Sequence, residues 1–227
     1  MIDAPAFEYA RYPTAGGEEW MILRGPRDGP RVLILQPILN EANQCRAMVV
    51  DFARHLALAG VGSAIPDLPG TGESTRPLAE VRWSDWRDAV AAAAATLRQD
   101  SSSLMVASLR GGALIDDVCG AESWWRFAES SGAALLRPLE RAQRLTRSSD
   151  NMHAPNDIQT LAGFSLHREL LHAFRAAAPE PVPRPLRAVA FDGVGTPVWR
   201  RAEPTNDPAL AKRLAEDFLA WISACER

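Results

Sequence analysis

At 227 residues, 47% of them hydrophobic, the chain holds enough apolar material for one substantial core, and a single domain over 1–227 is the expectation. A formal net charge of −3 gives no reason to expect nucleic acid or an acidic membrane surface as partner. The cysteines Cys45, Cys119 and Cys225 are far apart and odd in number, forming neither a disulfide framework nor a metal-binding spacing, so no metal and no cofactor is expected. Lys212 is the single lysine; the scattered arginines read as genome composition. The segment Met1 to Pro5 lacks the basic and apolar regions of a signal peptide, and no apolar run reaches the length of a membrane span, so a cytoplasmic protein is expected.

Two short strands open the chain, Phe7 to Tyr12 and Trp20 to Leu23, with the hairpin signal Gly16-Gly17 between them. After the turn-rich 24–30, the apolar run Arg31 to Leu35 has the character of a strand buried on both faces. Helical spacing follows over Asn43 to Ala59, with Met48, Phe52 and Leu56 four apart and Gly60 at the end. Val61 to Ile65 reads as the next strand, Asp67 to Thr75 as a polar turn, and Trp83 to Leu97 as an alanine-rich helix. Leu104 to Ala107 is a third buried strand, leading through Ser108-Leu109-Arg110-Gly111-Gly112 into the helix-like Ala113-Leu114-Ile115.

The part of the chain over 120–180 is less regular. Ala133 to Leu136 reads as a strand stopped by Arg137-Pro138, Leu139 to Arg147 as helix, and Ser148 to Asp157 as polar loop. Leu161 to Leu166 is a strand or an extended lead into a helix over Leu166 to Ala177. Pro179, Pro181, Pro183 and Pro185 mark a stiff exposed linker, Arg187 to Phe191 the last strand, and Pro208 to Ile222 a terminal helix started by Asp207-Pro208. Adjacent Trp124 and Trp125 cannot share a face of a helix, which would leave one exposed.

Strands alternating with helices at this spacing imply βαβ units and a parallel sheet, with ligands taken at the carboxyl ends of its strands. Those ends carry Gln36 to Asn43, Asp67 to Ser74 and Ser108 to Gly112, so the three polar turns should share one rim. The turn Asp67-Leu68-Pro69-Gly70-Thr71-Gly72-Glu73-Ser74 suits a tight bend through its two glycines, with Asp67 and Ser74 able to hydrogen-bond its backbone. It lacks the third glycine of a dinucleotide-binding loop.

That turn resembles the D-x-x-G-x-G-x-S turn of α/β-hydrolases, and the run at 108–112 resembles their nucleophile elbow, G-x-S-x-G, with the nucleophile missing. Three frames are open. Gly112 as the second small residue puts Arg110 at the tip, Gly111 puts Leu109 there, and Ser108 as nucleophile puts Arg110 where a small residue is needed. Together with Gln36 to Met48, Arg82 to Trp86, Leu109 to Leu114, Leu135 to Pro138, Leu161 to Leu166 and Gly195 to Trp199, the chain resembles the exosortase A system-associated hydrolase 2 family. The resemblance spans nearly the whole chain. It implies an α/β-hydrolase-like fold with a mostly parallel central sheet flanked by helices and reduced at its C-terminal end. It also implies a context of bacterial exopolysaccharide synthesis or protein sorting, and an arginine at Arg110. The chain departs from the family in having Ser108 for a leading glycine, and in a shorter stretch between Phe174 and Arg187, where one strand is expected to be absent.

A serine hydrolase of this fold takes its base from a histidine after the last strand. His55, His153, His167 and His172 all precede Phe191, and the corresponding turn presents Trp199. Candidate catalytic residues reduce to Ser108, whose other reading is a small packing residue, and Glu41, a carboxylate without an identified partner. Candidate ligand-binding residues are Arg110, Asn40, Gln36, Gly111 and Trp199. Arg110 at a helix N-terminus would hold a carboxylate, phosphate or sugar-acid group, or else pair internally with Glu41. Asn43 suits a helix N-cap, and Asp116 and Asp117 suit solvated or capping roles. Two functions follow: an accessory protein binding a small anionic or carbohydrate-linked ligand, or a hydrolase on an ester, acyl or carbohydrate-linked substrate with a non-standard site. Neither reading specifies an oligomeric state.

Overall fold

The computed structural model describes residues 7–146, 157–183, 185–193 and 195–225. Phe7–Thr14 (β1) and Gly17–Arg24 (β2) form an antiparallel hairpin, and β2 continues the sheet antiparallel to Gly62–Pro66 (β4). From β4 onward every pairing is parallel: Arg31–Leu35 (β3), Leu104–Leu109 (β5), Ser123–Phe127 (β6) and finally Leu186–Val189 (β9). The strand order is β1-β2-β4-β3-β5-β6-β9. Every residue of β3, β4, β5 and β6 is buried, as strands covered on both faces must be.

Asn40–Leu58 (α1) and Pro208–Cys225 (α5) cover one face, where Met48, Phe52, Leu214 and Phe218 pack on Ile34, Ala107 and Trp125. The other face carries Trp83–Gln99 (α2), Gly132–Thr146 (α3) and Arg168–Ala176 (α4), packed on Leu33, Val106 and Trp124. The hairpin Ile158–Leu161 (β7) and Phe164–His167 (β8) leads into α4. No helix among the described residues is long and apolar enough to cross a membrane.

Several local expectations are corrected. Ser123–Phe127 is a strand that the residue pattern did not disclose. Trp124 and Trp125 point to opposite faces of it, so both are buried rather than one being exposed. Ala133 to Leu136 is not a strand: α3 runs unbroken from Gly132 with Pro138 inside it. α1 begins at Asn40, three residues early, so Asn43 is not the cap; Leu39 holds that place without a side-chain bond. Ala113 to Ile115 does not open an α-helix, because Arg110–Leu114 is one short 3₁₀ segment. Among the described residues no strand lies between α4 and β9, which pairs with β6 and ends the described sheet. Asp207 does start α5, its Oδ1 accepting from the Leu210 N–H at 3.0 Å.

Candidate functional site

At the carboxyl end of β5 the chain turns sharply, and Arg110 takes φ of 54°, a left-handed conformation that costs any residue with a Cβ. A Cβ at Gly112 would lie 2.3 Å from the Leu35 carbonyl oxygen, so only glycine lets this turn approach β3. The geometry therefore has Arg110 at the tip, Ser108 still inside the strand, and Gly112 at the close contact.

The Arg110 guanidinium is held on all three nitrogens. Nε donates to Glu41 Oε2 at 3.0 Å, Nη2 to Glu41 Oε1 at 2.9 Å, and Nη1 to the Ala128 carbonyl at 2.7 Å. Its plane lies over the Trp199 ring, 4.7 Å from the centroid. Both side chains of the Arg110–Glu41 pair are only 13% exposed. Leu39 and Ala128, two more non-glycine residues with positive φ, flank the same pair. Internal pairing, one of the two roles open to Arg110 from its sequence position, is the one it has.

Ser108 is completely buried, and its hydroxyl donates to Asp116 Oδ2 at 2.7 Å. Asp116 is not solvated as expected from its sequence position. It is buried, receiving Arg126 Nε at 2.9 Å and Nη2 at 2.7 Å. Burial pushes the Asp116 carboxyl above its ordinary range, while Arg126 and Ser108 pull it down. This network is a product of strand register, since Ser108 stands directly opposite Arg126. Asp117 forms a two-point pair with Arg87.

No described histidine lies at this turn. His55 is near the far end of α1, about 22 Å along the helix axis from Asn40 at 1.5 Å per residue. His167 caps α4 by accepting from the Glu169 N–H at 3.1 Å, and His172 lies exposed on that helix. His153 lies outside the described residues.

The open space is elsewhere on the rim. A cavity of about 400 Å³ lies between the end of β3, the first turns of α1, the turn after β4 and Phe164 of the β7–β8 hairpin. That volume is within the range of small-molecule sites. Its polar groups are Gln36, Asn43, Arg46, Asp67 and Thr71, and its walls include Ile22, Val50, Ile65 and Leu68. Of the sequence-derived candidates only Gln36 lines it; Arg110, Glu41, Gly111, Trp199 and the exposed Asn40 do not. Asp67 and Ser74 tie the turn together as expected, Asp67 Oδ2 accepting from Glu73 N–H and Ser74 Oγ from Gly70 N–H. Burial raises the Asp67 carboxyl, opposed by the Glu73 N–H and by Arg46. One signal for this wall was available in the residues: Asn43, Arg46 and Val50 recur every three or four positions, beside the buried stripe of Cys45, Met48 and Phe52.

No family model matches the chain, and no curated protein matches it by sequence. Among solved structures, Est1E from Butyrivibrio proteoclasticus with bound ferulic acid superposes over 99% of this chain and 98% of its own, at TM-score 0.60 and 13% identity. A protein from Agrobacterium vitis S4 aligns over 76% of this chain and 72% of its own, at TM-score 0.51 and 16% identity. An esterase from Pyrococcus furiosus aligns over 64% of this chain and 57% of its own, at TM-score 0.52 and 10% identity. Likeness at these identities is a likeness of fold, and the fold is that of the α/β-hydrolases.

Proposed function

We propose that this chain is a non-hydrolytic, ligand-binding accessory protein built on the α/β-hydrolase fold. The observation that carries this reading is Arg110, which stands at the left-handed tip of the elbow with every guanidinium nitrogen engaged. Hydrolysis on this fold uses a hydroxyl, thiol or carboxylate nucleophile at that tip with an imidazole beside it, and a guanidinium is none of these. Here the tip is a strut joining β5, α1 and the end of β6. Ser108, the nearest hydroxyl, faces a carboxylate inside the protein. That carboxylate is held by two bonds from Arg126, and the completely buried Ser108 oxygen has no route to a substrate.

Arg110 is on this reading a structural residue and not an anion receptor, with Glu41 and Trp199 as its supports. Ligand binding passes to the cavity beside it, of which Gln36 is part. The sequence resemblance to exosortase A-associated hydrolases supplies the context, bacterial exopolysaccharide synthesis or protein sorting. The ligand we propose is small and anionic or carbohydrate-linked, met in the cytoplasm.

A fluorophosphonate probe and a panel of p-nitrophenyl esters test the reading. We expect neither labelling nor turnover above background. Labelling or turnover abolished by Ser108→Ala or Glu41→Gln, in a variant with unchanged far-ultraviolet circular dichroism, would restore the hydrolase.

A further inference from the structure

Three concave regions meet at Arg46 and Val50 on the outer side of α1. The first is the cavity already described, and the second a shallow hollow against residues 204–206. The third is a groove of about 150 Å³ bordered by Phe7, Tyr9 and Arg24. Cavity and groove also share Ile22 and Ile65, so one apolar wall runs from the rim of the sheet out to the first hairpin. Phe7 and Tyr9 are about half exposed at its outer end, their rings packed edge to face.

The charged groups along this wall are Arg24, Arg46 and the carboxylate of Asp67. Arg46 is exposed at the junction, and its side chain makes no direct hydrogen bond or ion-pair contact among the described residues, although its charge acts on the Asp67 carboxylate across the cavity. Arg24 lies over the Phe7 ring at 5.5 Å, its basicity lowered by burial and by the neighbouring Arg54. Asp51 is taken by Arg54 at 3.1 Å. Asp67 accepts the Glu73 N–H on Oδ2 and offsets the Arg46 charge only in part, since it makes no direct bond to it. A guanidinium whose N–H groups have no direct acceptor, at the mouth of an apolar cleft, is suited to an anion that carries an apolar body, since the charge fixes the head and area burial holds the rest.

We propose that this continuous cleft binds an amphiphile with one anionic head, a long-chain carboxylate or an alkyl phosphate. The head lies on Arg46 and the chain along Ile22, Val50 and Ile65 toward Phe7. Asn43 and Gln36 stand on the cavity side of the head and supply amide groups to its remaining oxygens or to a hydroxyl near it. The inference rests on the ligand-binding reading above and names the ligand class. It is independent of hydrolysis, because the probes below contain no bond for a hydrolase to cleave.

Titration calorimetry of the full chain with three probes separates head from chain: dodecanoate carries both, dodecanol the chain alone, and inorganic phosphate the head alone. We expect one dodecanoate per chain, binding at least tenfold tighter than dodecanol, and no saturable phosphate binding. Arg46→Gln should weaken dodecanoate about tenfold, the scale of one charge-assisted contact, and leave dodecanol unchanged. Val50→Tyr, which fills the cleft, should abolish both. Equal affinity for dodecanoate in Arg46→Gln and wild type, or phosphate binding as tight as dodecanoate, would overturn the proposal. Ester turnover with normal dodecanoate binding would sink only the non-hydrolytic reading.

Discussion

Replacing Arg110 by alanine and, separately, by glycine divides two costs that coincide at this residue. Either change removes the two bonds to Glu41, the bond to the Ala128 carbonyl and the stacking on Trp199. Breaking a buried ion pair from one side costs about 3–5 kcal/mol, and Glu41 at 13% exposure can rehydrate in part, which favours the lower end, about 3 kcal/mol. Alanine keeps the left-handed backbone at φ 54°, with a penalty of about 1–2 kcal/mol that glycine does not carry. Glycine returns some of that through a more flexible unfolded chain, by about 0.4–1 kcal/mol. The glycine variant should therefore be the more stable by about 1 kcal/mol, the reverse of the order in a regular helix. Urea unfolding followed by circular dichroism at 222 nm reads this as a midpoint difference near ~0.5 M, for a slope of about 2 kcal/mol per molar. Alanine equal to or above glycine would mean that the tip is unstrained. Losses below about 0.5 kcal/mol in both, the range of ordinary surface substitutions, would mean that Arg110 is not a strut.

Other features give sharper local tests. Gly112→Ala brings a methyl group against the Leu35 carbonyl and should destabilise by about 3 kcal/mol, whereas Gly29→Ala, with nothing within 4 Å and only φ of 89° to oppose it, should cost about 1–2 kcal/mol in the same assay. Ellman's reagent should find one reactive thiol in the native protein, the exposed Cys225, and three after denaturation. Burial pushes Cys45 up to about 12 and Cys119 well above the usual thiol range. Arg187 holds the Asp217 carboxyl below its ordinary value of 3.8, aided by the Trp125 indole N–H. A depressed native value means stability that is present above the unfolded value and lost as pH falls through the native one. The stability gap between wild type and Arg187→Gln should thus be full above about pH 4 and shrink below it. A gap that is flat from pH 6 to pH 2 would count against the pair.

What the residues disclose one by one is the scaffold. Arg31 to Leu35 and Leu104 to Ala107 are runs too short for helices and too apolar to face water, so their strand character and double burial follow from composition alone. The turn at 67–74 is legible because glycine and aspartate act through their own backbone, with Gly70 and Gly72 at positive φ and Asp67 bonded within the turn. Elements that defeat local reading do so for definite reasons. Ser123–Phe127 contains an arginine between large aromatics, and an arginine inside a two-sided strand makes sense only once Asp116 is there to receive it. Pro138 looks like a helix breaker until α3 is seen to carry it.

The chemistry of the rim belongs to the second kind. Arg110 and Glu41 are 69 positions apart, and whether that arginine faces a ligand or a carboxylate depends on how α1 docks against the end of β5. Ser108 meets Asp116 because β5 and β6 pair in one register out of several that their sequences would allow. Arg46 is left without a direct hydrogen-bond partner by the same docking, which turns Asn43, Arg46 and Val50 of α1 toward the cleft instead of the core. Backbone preference and hydrophobic periodicity are properties of a few neighbouring residues and can be read along the chain. Pairing of charges is a property of distances between segments, and those exist only after the sheet and its helices have closed.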